Sequence, residues 1–385
     1  MFGNFFSKGQ SKPSNEPLSS AQVTQLIDDT LANYVSENFP NGVLNVCIKY
    51  QLEQDKNITI QLIMPFPCQG ELDELAASLS KALGQEVSIV VTLQVKPVRH
   101  FALGSDTGEK ADGAVKQGNI ANIIAIASGK GGVGKSTTTV NLAYALMAEG
   151  AKVGILDADI YGPSIPTMLG LTHEKPGSTD GKLMTPLLAH GLSAMSIGFL
   201  VDPNDATVWR GPMASSAFNQ LLNETAWPTL DYLLIDMPPG TGDIQLTLAQ
   251  KVPVAAAVIV TTPQDIALVD ATKGIAMFNK VQVPVLGIVE NMSYHICENC
   301  GHQSHIFGEA GGKDMAQSNQ TTLLGQLPLD IAIRQDADFG QSDIIENSTG
   351  EIASHYRKIA RNIAGQLFLQ CDNASPLTPI VEQQQ

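Results

Sequence analysis

Positive charge is scarce in this chain: 23 Lys and Arg stand against 38 Asp and Glu, a formal net charge of −15. A surface of that sign excludes an electrostatic hold on DNA, RNA or anionic lipid, so neither nucleic acid nor membrane is an expected partner. Cysteine is also scarce, and its count of five is odd. That argues against a disulfide framework and for a reducing compartment. No apolar run is long enough to span a bilayer. The start, Met1-Phe2-Gly3-Asn4-Phe5-Phe6, lacks the basic beginning and long apolar core of a signal peptide. The expected location is cytoplasmic.

What is present suits a large core. Hydrophobic residues make up 43% of 385, enough for one large α/β domain and a smaller one. Residues 1–20, rich in Ser, Asn, Gly and Pro, read as a flexible lead-in. Residues 21–101 read as a small α+β unit of order αββαβ: helix 22–37, strands 43–51 and 58–64, helix 71–83, strand 87–95. Residues 102–119 are polar and glycine-rich, as a linker is. From 120 to 370 strand and helix alternate, which predicts a doubly wound, mostly parallel sheet. Its strands are placed at 123–127, 152–156, 192–197, 232–235, 256–261, 285–290 and 323–327. The apolar stripe of the last helix, 351–369, reads as core packing rather than a membrane face, and residues 371–385 read as a disordered tail.

The chain is organised around Gly129-Lys130-Gly131-Gly132-Val133-Gly134-Lys135-Ser136, which fits G-x-x-x-x-G-K-[ST]. A buried strand leads in, and a helix with apolar Val140, Leu142, Ala143, Leu146 and Met147 leads out toward Gly150. Strand, glycine loop and helix N-terminus aim backbone N–H groups at phosphate oxygens. In this pattern Lys135 reaches the β- and γ-phosphates and the Ser136 hydroxyl ligates Mg²⁺. A nucleoside triphosphate is the implied ligand. Lys130 is an extra cation that either meets an anion or stays solvated. With Thr137, the loop resembles the deviant phosphate loop of the ParA, MinD and nitrogenase iron protein group of ATPases. The resemblance implies that Lys130 reaches the nucleotide of a facing subunit in a homodimer.

Carboxylates follow two strands. Asp157-Ala158-Asp159 sits where α/β sheets place ligands, and Asp159 matches the family residue that orients the attacking water. Tyr232-Leu233-Leu234-Ile235-Asp236 has the Walker B form, with Asp236 holding the Mg²⁺ hydration shell. The proline- and glycine-rich Met237–Asp243 then suits a loop that senses the γ-phosphate.

Cys297-x-x-Cys300 puts two thiols within reach of one soft metal. Three readings compete: a redox pair, a zinc site recruiting His295, His302 or His305, and half of a Cys₄ cluster site shared by two subunits. Here Gly129–Thr137, Asp157–Pro163, Trp209-Arg210-Gly211-Pro212-Met213, Asp236–Asp243 and Asn291–Cys300 together resemble the Mrp/ApbC family of cytosolic P-loop ATPases that carry iron–sulfur clusters to apoproteins. The resemblance implies ATP hydrolysis and a 4Fe–4S cluster on Cys297 and Cys300 at a homodimer seam. It also implies scaffold and apo client proteins as partners. It matches Asn291 and Pro328 to the adenine-flanking positions. The front unit, with Cys68 between strand and helix, resembles the small domain at the front of many iron–sulfur carriers, although a buried thiol explains Cys68 as well. The rival readings are a MinD- or ParA-like positioning ATPase, for which a basic C-terminal helix is missing, and a zinc-stabilised regulatory ATPase.

Overall fold

A capping box opens the first helix. The Ser19 side chain accepts the Gln22 backbone N–H while the Gln22 side chain accepts the Ser19 N–H. The computed structural model describes residues 19–54, 57–98, 119–178, 181–201, 211–371 and 380–381. The expected linker therefore lies almost wholly outside the described residues, as do the lead-in apart from its last two residues and most of the tail. In the front unit come α1 (Ser20–Asn33), β1 (Lys49–Gln54), β2 (Ile58–Met64), α2 (Gln69–Leu83) and β3 (Val87–Leu93). The strands pair β1 antiparallel to β2 and β2 parallel to β3.

Two local departures from the expected pattern have visible causes. Helix α1 stops at Asn33 because Tyr34 is extended, at φ −72° and ψ 107°, four residues sooner than its apolar spacing predicts. The expected strand from Val43 begins only at Lys49, because Gly42 at φ +92° turns the chain into a 3₁₀ turn over Val43–Asn45. Val43, Val46 and Cys47 thus bury themselves from a turn, not from alternate faces of a strand.

The larger unit runs β4 (Ile120–Ala127), α3 (Lys135–Ala148), β5 (Val153–Asp157), α4 (Ile165–Met168), β6 (Leu187–Ala189), β7 (Leu192–Ser196), α5 (Gly211–Asn223) and β8 (Leu230–Asp236). It continues with α6 (Asp243–Lys251), β9 (Ala256–Thr261), α7 (Asp265–Lys280), β10 (Val285–Ile296), β11 (Gln303–Ser304), α8 (Gly311–Ser318) and β12 (Leu323–Pro328). Helices α9 (Ile331–Phe339), α10 (Asp343–Glu346) and α11 (Glu351–Cys371) follow. The sheet order is β11-β10-β9-β4-β8-β5-β7-β6, with β12 beside β10. All pairings are parallel except the edge strands β6 and β11. This is the expected doubly wound α/β architecture. Strands β5, β7 and β9 are buried at every position, as a sheet covered by helices on both faces requires.

Helix α11 lies against α3, β10 and β12. Its Tyr356, Ile359, Ile363 and Leu367 are buried, so the apolar stripe is core packing. Among the described residues no helix is long and apolar enough to cross a membrane. In the expected disordered tail, Ile380–Val381 forms a short β13 paired parallel to β1 at Lys49 and Tyr50.

The two units meet at α11. Phe66 and Phe368 pack with ring centroids 5.6 Å apart, and Asn38 donates to Asn362 at 3.3 Å. Buried Glu149, at the end of α3, accepts from Arg357 Nε at 2.7 Å, Arg361 at 2.9 Å and the Gly70 backbone N–H of α2 at 2.8 Å. Cys68, one residue before α2, is fully buried, and burial pushes its thiol well up. Removing one partner of a buried ion pair typically costs roughly 3 kcal/mol or more, because the remaining charges lose their compensation. Glu149→Ala is therefore expected to lower the unfolding free energy by about 3 kcal/mol. An unchanged denaturant midpoint in equilibrium unfolding would contradict this clamp.

Candidate functional site

The phosphate loop is braced from behind at both ends. Ser128 Oγ donates to the Lys130 carbonyl at 2.9 Å, and Gly129 lies so close to the Asp270 backbone that a Cβ there would overlap it. Gly134, at φ +80°, starts α3, and a Cβ on it would collide with the Asn291 amide. Helix α3 has no side-chain cap, so the N–H groups of its first turn remain available to an anion.

Behind the loop lies a buried charge cluster. Asp236 ends β8 with no exposure. Its carboxylate lies 2.6 Å from the Lys135 ammonium, 2.6 Å from Ser136 Oγ and 2.8 Å from Thr139 Oγ1. The pattern reading singled out Lys135, Ser136 and Asp236 but missed Thr139. Its position three residues after Ser136, on the same helical face, was the available signal. Parallel pairing sets Asp157 of β5 beside Asp236. Asp157 is buried and accepts the Asp159 N–H at 3.0 Å, the Ile165 N–H at 3.3 Å and the Ser196 hydroxyl at 3.0 Å. Burial, then the Asp236 charge, pushes the Asp157 carboxyl up to about 7. Asp159 is half-buried and also pushed up, mainly by burial, with Lys135 opposing.

Asp159, Tyr161, Pro238, Pro239 and Gln245 line a cavity of about 210 Å³. The loop after Asp236 is tied to the phosphate loop, since Gly240 donates to the Ser128 carbonyl at 3.1 Å. Gln245 donates to the Pro238 carbonyl within that loop. Lys130 is half-buried, and none of the ion pairs among the described residues uses it. Thr137 is part-exposed in the first turn of α3. Trp209 and Arg210 lie outside the described residues.

Asn291 sits within β10, not at its end, and donates to the Val133 carbonyl at 2.9 Å. Pro328 is buried at the end of β12, opposite Tyr294. In the sheet β12 is separated from β4 by β10 and β9.

The cysteines occupy a hairpin tip. β10 and β11 pair antiparallel through His295–Ser304 and Ile296–Gln303, and the Cys297 N–H donates to the His302 carbonyl at 3.0 Å. Gly301, at φ +69°, closes the turn. Cys297 is half-exposed and Cys300 exposed. Backbone N–H groups of Cys300, then Asn299, hold the Cys297 thiol below its ordinary range, as donors that favour a thiolate do. His295 Nδ1 lies 3.2 Å from the Leu329 carbonyl and His305 Nδ1 3.0 Å from the Ser293 carbonyl. Among the described residues no three His, Cys, Asp or Glu side chains gather into a metal site. The single-chain zinc set with those histidines is therefore not assembled.

A parallel sheet with this loop, an aspartate on the adjacent strand and a glycine-rich loop after it defines a P-loop NTPase. A family model described as a ParA-group NUBPL iron-transfer P-loop NTPase matches residues 119–364. The chain belongs to this family, that of the Mrp/ApbC-type iron–sulfur cluster carriers, which is related to the MinD and ParA ATPases. The iron–sulfur cluster carrier protein of Escherichia coli (strain K12) is 50% identical over 346 residues, covering 90% of this chain and 92% of that protein. The iron–sulfur cluster transfer protein NUBPL of Mus musculus is 50% identical over 250 residues, 64% of this chain and 78% of that protein. A nucleotide-binding protein from Archaeoglobus fulgidus, solved in complex with ADP, superposes with a TM-score of 0.53 at 40% identity, over 60% of this chain and 90% of that one.

The buried carboxyl of Asp157 has a pH consequence. Because its folded value lies above its unfolded one, the folded state holds the extra proton, and stability is lost as pH rises toward about 7. Asp157→Asn is expected to flatten the decline in unfolding free energy between about pH 4 and about pH 7. An identical pH slope in both proteins, measured by denaturant titration, would refute this.

Proposed function

We infer that this iron–sulfur cluster carrier holds a 4Fe–4S cluster between Cys297 and Cys300 of two chains and passes it to apoproteins in a cycle driven by ATP hydrolysis. The hairpin tip carries the reading: one half-exposed and one exposed thiol, the first with its thiolate favoured, and no third ligand beside them among the described residues. A Cys₄ cluster then takes its other two thiolates from a second copy. Ligation at an exposed seam suits cargo that must leave. The names of the bacterial and mouse relatives support carriage and transfer, and the ADP complex of the archaeal relative supports a nucleotide in the loop.

On the nucleotide side, loop N–H groups and Lys135 take the phosphate oxygens, with Asn291 and Pro328 the proposed neighbours of the base. Ser136 Oγ and the Asp236 carboxylate, 2.6 Å apart, are the hard oxygen donors that Mg²⁺ prefers. When bound there, Mg²⁺ would offset the charge of the triphosphate. Asp159, with its carboxyl raised by burial, orients water and accepts its proton. Lys130, free of the buried cluster, reaches the partner's nucleotide. Scaffold proteins that load the cluster and apoproteins that receive it complete the cycle.

Anaerobic reconstitution with iron and sulfide is expected to give about four irons per two chains, with broad visible absorption. Cys297→Ala should lose that absorption and keep ATP affinity within about twofold of the cluster-free parent's. Equal loss of cluster and ATP binding would sink this division of labour. Asp159→Asn should lower the hydrolysis rate by roughly 100-fold or more, with ATP affinity nearly intact. A rate within threefold of the parent's would remove Asp159 from the chemistry.

A further inference from the structure

One strand serves both the nucleotide loop and the cysteine hairpin. β10 carries Asn291, which holds the Val133 carbonyl of the loop, and ends at Ile296, next to Cys297. Between these points the strand is irregular. Glu290 pairs with Gln326 and Tyr294 with Pro328, so β10 takes four steps where β12 takes two. Met292, inside this bulge, has φ +55°, a conformation that a side-chain-bearing residue keeps only where its surroundings hold it. Its Cε lies 3.7 Å from where a Cβ of Gly134 would be.

A buried polar network closes the bulge. Glu290 is wholly buried, and its Oε1 accepts from Ser293 Oγ at 2.6 Å and Gln326 Nε2 at 2.7 Å. Gln326 Nε2 is also 2.8 Å from Ser293 Oγ, and Glu290 Oε2 accepts the Gly312 N–H in the first turn of α8. A carboxylate so satisfied fixes β10, β12 and α8 around a single kink. Neither phosphate binding nor thiol ligation needs it. Past the kink the strand is again stiffly held: Leu329 N–H donates to the Tyr294 carbonyl at 2.7 Å, and His295 and Ile296 pair with β11.

We propose that Glu290, Met292 and Ser293 are positioning residues that couple the phosphate loop to the cysteine hairpin. A shift of Val133 and Gly134 on nucleotide binding moves Asn291 and Met292. The closed bulge passes that shift into the paired segment that carries Cys297 and Cys300. Coupling of this kind is reciprocal, so a bound cluster must change nucleotide affinity by the factor by which nucleotide changes cluster affinity. The inference rests on the carrier reading above.

The test uses the full chain reconstituted with cluster. Cluster affinity is measured by equilibrium competition with an iron chelator, with and without a non-hydrolysable ATP analogue and Mg²⁺, and analogue affinity is measured with and without cluster. The parent protein should show a ratio of about fivefold or more in both. Met292→Gly, which relieves the backbone conformation and so keeps the fold, and Ser293→Ala should each bring the ratio below about twofold. Iron content and the affinity of cluster-free protein should stay within about twofold of the parent's. A merely structural role would weaken binding and leave the ratio unchanged; that result in the variants that fold overturns the proposal. A parent ratio of one overturns both this coupling and the nucleotide-driven part of the carrier reading. A parent ratio of fivefold that survives in the variants overturns the coupling alone.

Discussion

The carboxylate of Asp236 sits at the end of a buried strand with no exposure, where an unpaired charge is not tolerated. Everything at the nucleotide site follows from how it is satisfied. Lys135, Ser136 and Thr139 all come from the first turns of α3, so the contact sets the helix on the sheet and holds the loop between them. Asp157, in register on the next strand, has its carboxyl raised first by burial and then by the Asp236 charge. An anion at the loop would compete with Asp236 for the Lys135 ammonium, 2.6 Å away. The site thus uses the same few groups for stability and for binding.

Legibility followed the range of the interactions. The parallel strands were readable because burial on both faces writes continuous apolar runs, as in Ile123–Ala127 and Ala256–Thr261. The loop was readable because glycine and lysine spacing is set by the phosphate itself. The short edge strands β6 and β11 were not foreseen, since three and two residues carry no periodicity. The strand expected from Val43 failed because its apolar residues suit a 3₁₀ turn equally well once Gly42 reverses the chain. At the site, Asp236 with Lys135 and Ser136 was legible. Thr139 was missed although its helical spacing from Ser136 carried the signal, and the Glu290 network was not legible because its partners on β12 and α8 are brought together only by the fold. Asn291 was singled out for the base, and the structure shows its amide on the Val133 carbonyl.

The same sheet order separates two chemistries while keeping them connected. β10 stands next to β9, and β9 next to β4, so one strand separates the one that ends at the cysteines from the one that feeds the phosphate loop. Lys135, Asp157 and Asp236 stay buried behind the loop, and the Cys297 and Cys300 thiols stay at the hairpin tip, half-exposed and exposed. The front unit is fastened elsewhere, through the Gly70 N–H on Glu149, Asn38 on Asn362 and Phe66 on Phe368, with its Cys68 buried.

The central claim is that two chains share one cluster through their hairpin tips. Native mass spectrometry of the anaerobically reconstituted protein weighs that assembly directly. The account predicts a cluster-bearing species of two chains with a single 4Fe–4S mass, while protein without cluster carries no such increment. Clusters riding on single chains, or a single zinc on each chain, would contradict it.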